Sequence, residues 1–385
     1  MSELALSPAP PMLAPNEPSP PDVPPAPRPG RLRRAATFVA GATGLAAGLS
    51  ILAMIPVLQL ATLGWLLECE GRIGRTGRWR GALAGLERAA RLGTALLCSL
   101  VLFTPWLVLQ SYARDAALLD PTSPAARGLG LATLVVGLLS LGHALLAVAQ
   151  GGRVHHFLLP PLGLLWLIGV GRRADLSPGG LLGRAKAAVR SLRLDHYLAL
   201  GTMGFLAGFA WLLVPCALLA LSPSAPALFL LGLPLLALVI PWVVMAQARL
   251  AAEQRFGAAF ELAEIRRRIA RAPLATLVAI VVLLAPALPL FLLKLEPLPR
   301  DARWLPALVY LAALLPGRLA TGWAYARGGR PGRAHWLLRW PVRALIWPAA
   351  GTYVLFLFFN QYFDWQGTAG LFAQHPFLLP VPFPG

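Results

Sequence analysis

Charge is what this sequence has least of. Asp, Glu, Lys and Arg make up 13% of its 385 residues, about half the share usual in a soluble domain, and 57% are hydrophobic. The mean hydropathy is +0.65. Such a chain has too few polar groups to cover a surface in water, which excludes an ordinary soluble enzyme. Lysine is nearly absent, with 2 against 32 arginines, and the 16 acidic residues leave a net charge of +18. Cysteine is limited to Cys69, Cys98 and Cys216. Their spacing fits no zinc motif and an odd count closes no disulfide framework, so they read as small core residues. Also missing are a P-loop, a Gly-x-Ser-x-Gly elbow, a His-Glu-x-x-His helix and a Rossmann glycine pattern. His155 and His156 are adjacent but have no third ligand nearby. No catalytic, cofactor-binding or metal-binding residue is therefore expected, no cofactor, and no enzymatic activity.

What is present is a series of long apolar stretches, uncharged apart from Arg318. They are Ala35–Leu67, Leu92–Ala113, Gly128–Gln150, Tyr197–Leu221, Ala227–Ala248, Leu274–Leu293, Trp304–Ala324 and Ala344–Phe359, with a shorter piece at Phe157–Val170. A span needs about 20 apolar residues, and in hydrocarbon the backbone must satisfy its own hydrogen bonds. The fold class expected is an all-α integral membrane protein, a polytopic helical bundle of about seven or eight spans. Residues 1–30 hold eleven prolines. The chain thus divides into a disordered, Pro-rich cytoplasmic tail (1–34), the polytopic domain (35–365) and a short apolar, Pro-rich extracytoplasmic tail (366–385).

The basic residues have a placement of their own. Four lie at Arg28–Arg34, and six in each of Arg72–Arg91, Arg172–Arg193, Arg249–Arg271 and Arg318–Arg343, which accounts for 28 of the 34. By the positive-inside rule these segments face the cytoplasm, placing the chain in a cell inner (cytoplasmic) membrane. Ala35–Leu67 must then enter and leave on one side. Its 33 residues allow about 16 per leg, or about 24 Å, so a re-entrant or broken hairpin near Ser50–Pro56 is expected; the alternative is one long tilted span with the N-terminal tail outside, against four arginines.

Each basic segment shares a grammar, which suggests a degenerate internal repeat. An aliphatic-Pro pair (Ile55-Pro56, Leu159-Pro160, Ile240-Pro241, Leu315-Pro316) precedes arginines and a short amphipathic stretch whose last Arg abuts the next span. Basic amphipathic helices lying in the interface would carry arginines near phosphates. The candidate lipid-headgroup residues are Arg88, Arg91, Arg190, Arg193, Arg267, Arg268, Arg271, Arg339 and Arg343. Membrane lipids, with anionic headgroups, are the expected partners. Protein partners are not named by the sequence, and arginines divided among spans make no nucleic-acid platform.

The run Ile55-Pro56, Leu63-Gly-Trp-Leu-Leu-Glu68, Gly71-Arg72, followed by Arg78, Arg88 and Arg91, resembles a family of uncharacterised bacterial multi-pass membrane proteins, domain of unknown function 4013. Gly322-Trp-Ala-Tyr325 and Phe377-Leu-Leu-Pro-Val-Pro-Phe383 are similar to its full-length members. The resemblance covers roughly residues 36–385 and implies a membrane location without a chemistry.

The span interiors look nearly free of charge, which suits a body rather than a path. His143 reads as a packed, hydrogen-bonded residue, and Glu68 and Glu70 as local partners of Arg72 and Arg75 at the interface. A non-enzymatic scaffold, assembly or envelope-organising role is the first expectation. A transporter or lipid-handling permease is the alternative, because prolines within apolar runs break helices and broken helices build sites.

Overall fold

The computed structural model describes residues 30–149, 154–158, 190, 193–292, 304–331, 336–360, 362, 367–372 and 374–381. The Pro-rich stretch up to residue 29, most of Phe157–Val170 and most of the second basic segment lie outside these residues. Among the described residues all regular structure is helical, and eight helices are long and apolar enough to cross a membrane. The chain is an all-α polytopic bundle.

The first two helices form a hairpin. Helix α1 is Arg31–Met54 and α2 is Gln59–Thr76. Pro56 lacks an N–H, and Val57 adopts a left-handed conformation (φ 69°), so neither continues a helix. Across the break Thr62 Oγ1 donates to Leu49 O at 3.2 Å. The expected break near Ser50–Pro56 is thus found at residues 55–58, but the legs are longer than the uncharged run. α1 begins among the arginines, and α2 continues through Glu68, Glu70, Arg72 and Arg75. Its 18 residues span about 27 Å, close to a bilayer core. The second leg can be this long because its carboxylates Glu68 and Glu70 are buried in protein, where a hydropathy limit does not apply.

α2 is the central helix, with most residues from Gln59 to Ile73 buried. Glycine sets how closely its neighbours approach. A Cβ on Gly64 would overlap Tyr197 O, one on Gly71 would overlap Ala251 O, and one on Gly322 would overlap Glu70 O. These contacts bring in α6 (Leu194–Leu221), α7 (Ala227–Glu253) and α11 (Trp304–Gly328). Outside them, α3 (Leu86–Leu119) and α4 (Pro124–Ala149) make a peripheral hairpin. α3 crosses α1 where Gly44 meets Gly93. Its 34 residues extend about 51 Å, and Val101, Leu134 and Leu139 on this hairpin are exposed. The short α5 (Val154–Leu158) lies beside them.

The remaining elements close the bundle. α7 ends at Gln254, and a 3-10 turn, Phe256–Phe260, leads to α8 (Leu262–Arg271). α9 (Pro273–Leu284) and α10 (Ala287–Leu292) form one broken span, and α12 is Trp336–Asn360. The largest core unites Leu212, Leu236, Ile240, Val243, Ile280, Leu283 and Tyr353 with Leu371, Phe377 and Leu378. The C-terminal residues 367–372 and 374–381 are therefore part of the bundle rather than a projecting tail. They are apolar enough to gain more from burial than from contact with water.

The repeated grammar of the basic segments is realised unevenly. Only α8 is a separate amphipathic helix among the described residues. In the first segment Leu86, Arg88 and Arg91 already belong to α3, and in the fourth Arg339 and Arg343 belong to α12. In the second segment the amphipathic stretch carrying Leu182, Ala185, Val189 and Leu192 lies outside the described residues. Much of the apolar face of α8 meets protein: Ile265 is buried and Ile269 partly buried against a core shared with Ala252, Ala324 and Tyr325, while Leu262 is exposed.

Candidate functional site

The polar residues of the interior converge where α2, α7 and α11 meet. Glu70 is fully buried, and Arg318 is 1% exposed. Arg318 Nη1 lies 3.1 Å from Glu70 Oε2 and 3.0 Å from Gln247 Oε1. Thr321 Oγ1 is 2.6 Å from Glu70 Oε1 and 2.7 Å from Arg318 O. Gln247 Nε2 donates to Gly204 O at 3.0 Å and to Phe377 O at 2.7 Å, and Arg318 Nη2 donates to Pro376 O. One cation, one anion, an amide and two backbone carbonyls of the C-terminal segment thus form one network. Burying an ion pair is costly and is tolerated only when further hydrogen bonds satisfy its remaining atoms. Here they nearly do, with Arg318 Nε the atom left without a partner among the described residues.

This pair corrects the sequence reading. Glu70 was expected at the interface beside Arg72 and Arg75, and Arg318 was counted with a basic loop. Glu70 instead faces Arg318 across the bundle, so the interior does hold charge. A signal for it exists: Arg318 is followed by eight uncharged residues before Arg327, which places it within the apolar stretch. Glu68 behaves as expected. Its Oε1 accepts from Arg72 Nε at 2.9 Å and Arg75 Nη2 at 3.3 Å, while Oε2 accepts from Gln254 Nε2 at 2.8 Å.

At the end of the bundle carrying these arginines, the first, third and fourth basic segments come together. Arg75 Nη1 donates to Ala251 O at 3.0 Å, joining α2 to α7. Arg249 Nη1 donates to Tyr325 Oη at 3.1 Å, joining α7 to α11. Arg249 Nη2 also pairs with Glu261, whose carboxyl is held below its ordinary value by hydrogen bonds from Arg249 and Arg255. An open cleft of about 770 Å³ lies here, lined by Arg249, Glu261, Leu262, Ala263, Glu264 and Arg267. Its two arginines and two glutamates balance, so it carries no net charge.

The nine headgroup candidates divide by environment. Arg88, Arg91, Arg190, Arg193, Arg267 and Arg271 are exposed, and Arg343 is half-buried. Arg267 pairs with Glu264 one turn away. Arg268 turns inward: Nε is 2.8 Å from Glu264 Oε1, Nη1 donates to Tyr325 O at 3.1 Å, and the guanidinium stacks 3.8 Å from the Tyr325 ring centroid. It serves to dock α8. The Arg339 side chain lies outside the described residues. His143 Nε2 is 2.9 Å from Phe157 O, and the His155 and His156 rings meet edge to face at 4.2 Å. Cys69 and Cys216 are buried free thiols, as expected of core residues, while Cys98 is half-buried.

Comparison with protein-family models, with curated proteins and with solved structures yields no match.

Proposed function

We propose that the protein is a non-enzymatic scaffold or assembly factor of a bacterial inner (cytoplasmic) membrane, with its basic segments on the cytoplasmic face. The observation that carries this reading is the state of Gln247. It is 1% exposed, and its amide is occupied on both sides by Gly204, Phe377 and Arg318, so the polar interior is spent on holding the bundle together. The peripheral α3–α4 hairpin supplies the outward surface such a role needs, and exposed arginines at the bundle end suit anionic headgroups.

The test has two arms. Photo-reactive residues at Val101 and Leu134 should capture a discrete protein partner in cells. Proteoliposomes should show no solute flux and no lipid scrambling above empty vesicles; activity that Glu70→Gln abolishes would overturn the proposal. A transporter or lipid-handling permease is the second reading. It is favoured by the buried Glu70–Arg318 pair and by non-helical backbone held inside the bundle, features that mark substrate sites in transporters.

A further inference from the structure

Residues 374–381 are non-helical backbone in the interior of a helical bundle. Such backbone needs hydrogen-bond partners from its surroundings. The segment turns on itself, with Phe377 N–H donating to Gln374 O at 3.0 Å and Leu378 N–H to the same oxygen at 2.8 Å. Its outward carbonyls are read by side chains: Pro376 O by Arg318 and Phe377 O by Gln247. Its side chains have pockets of their own. His375 Nε2 is 3.2 Å from Ala287 O, with the ring 4.4 Å from Phe291 and 5.2 Å from Tyr310. Phe377 stands edge-on to Tyr353. Gly208 makes room for the segment, since a Cβ there would stand 3.3 Å from both Phe377 O and Leu378 Cδ2.

The electrostatics select a ligand class. Glu70 neutralises Arg318, so the groove offers N–H donors without net positive charge. A carboxylate or phosphate would leave an uncompensated negative charge in an apolar interior, at a large cost. An amide carbonyl would not. We propose that this groove is a receptor for a turn-forming, largely apolar, Pro-containing peptide, that residues 374–378 are its resident ligand, and that the matching segment of an assembly partner displaces them. The partner's part in this rests on the scaffold reading; the groove's affinity for peptide does not.

The experiment keeps the folded chain intact. A protease site placed between residues 363 and 366 is cut after purification, and a fluorescent synthetic peptide of residues 367–385 is added in detergent. Cys216, covered by the segment through Leu371 O and Gln374 Nε2, is the second reporter once Cys69 and Cys98 are replaced by Ala. The cut protein should exchange its segment for labelled peptide, and excess unlabelled peptide should restore the protection of Cys216 from maleimide. Gln247→Leu should weaken uptake about three- to tenfold, the scale of one lost hydrogen bond. A peptide carrying Phe377→Ala should compete at least as poorly, and it leaves the protein untouched. Cut protein that takes up no peptide overturns the proposal, as does uptake indifferent to both changes. Either failure leaves the crosslinking test of the scaffold reading standing, and transport activity would remove that reading without affecting peptide exchange.

Discussion

Glu70 and Arg318, 248 residues apart in sequence, form an ion pair with neither side chain more than 1% exposed. The pair ties the central helix α2 to α11 at the depth where Gln247 of α7 and the C-terminal segment also arrive. Removing one partner strands the other charge in a dry interior.

Glu70→Gln and Arg318→Gln should each destabilise the protein by about 3–5 kcal/mol, whereas Glu70→Leu combined with Arg318→Met should recover part of that loss. Thermal unfolding followed by intrinsic fluorescence in detergent measures the three variants. Equal loss in the double and single variants would show that the network, not the stranded charge, dominates.

Glycine positions separate into two groups. Gly64→Val and Gly201→Val push a side chain into Tyr197 O and Leu60 O, backbone atoms that cannot step aside, and should cost several kcal/mol or abolish folding. Gly142→Ala and Gly351→Ala meet open space and should be neutral or slightly stabilising. Fluorescence-detected size-exclusion chromatography across the four variants gives the comparison.

The arginines of α8 should part company. Arg267→Gln and Arg271→Gln should lower affinity for anionic liposomes, by about 1 kcal/mol each at low salt, without changing stability. Arg268→Gln should do the opposite, because its guanidinium is engaged by Glu264 and Tyr325. Flotation and thermal unfolding, run on the same preparations, distinguish the two effects.

Glu261 gives the connection between α7 and α8 a dependence on pH. Its folded-state pKa lies below the ordinary 4.5. The charged form is the one stabilised, so its contribution is complete above about 4.5 and is lost as pH falls through the lowered folded value. Hydrogen exchange of residues 256–271 should quicken through that window, and Glu261→Gln should remove the dependence.

Much of the architecture was legible because a bilayer imposes length and polarity on each helix. The runs Tyr197–Leu221 and Ala227–Ala248 reappear as α6 and α7 within a few residues. What escaped were the places where protein, not lipid, surrounds a segment. α2 carries four charged residues yet lies at the centre, because Arg72 and Arg75 turn to Glu68 and Glu70 turns to Arg318. The stripe of Ile265 and Ile269 marked an amphipathic helix, but no sequence pattern says whether such a stripe meets acyl chains or another helix. For the same reason no pattern separates Arg268, which meets Glu264 and Tyr325, from its exposed neighbours Arg267 and Arg271. The C-terminal segment was read as a tail because its prolines argue against helix, and proline says nothing about burial.

The position of that segment in the chain sets an order of events during synthesis. Gln247 and Arg318 leave the ribosome before Phe377 and Pro376, whose carbonyls they are to bind, and Ala287 leaves before its partner His375. Until Pro376 and Phe377 emerge, Gln247 and Arg318 each lack one of the carbonyls they later meet. This latch therefore closes only after α2, α7 and α11 have been made, and those helices are free to adjust to one another before it does.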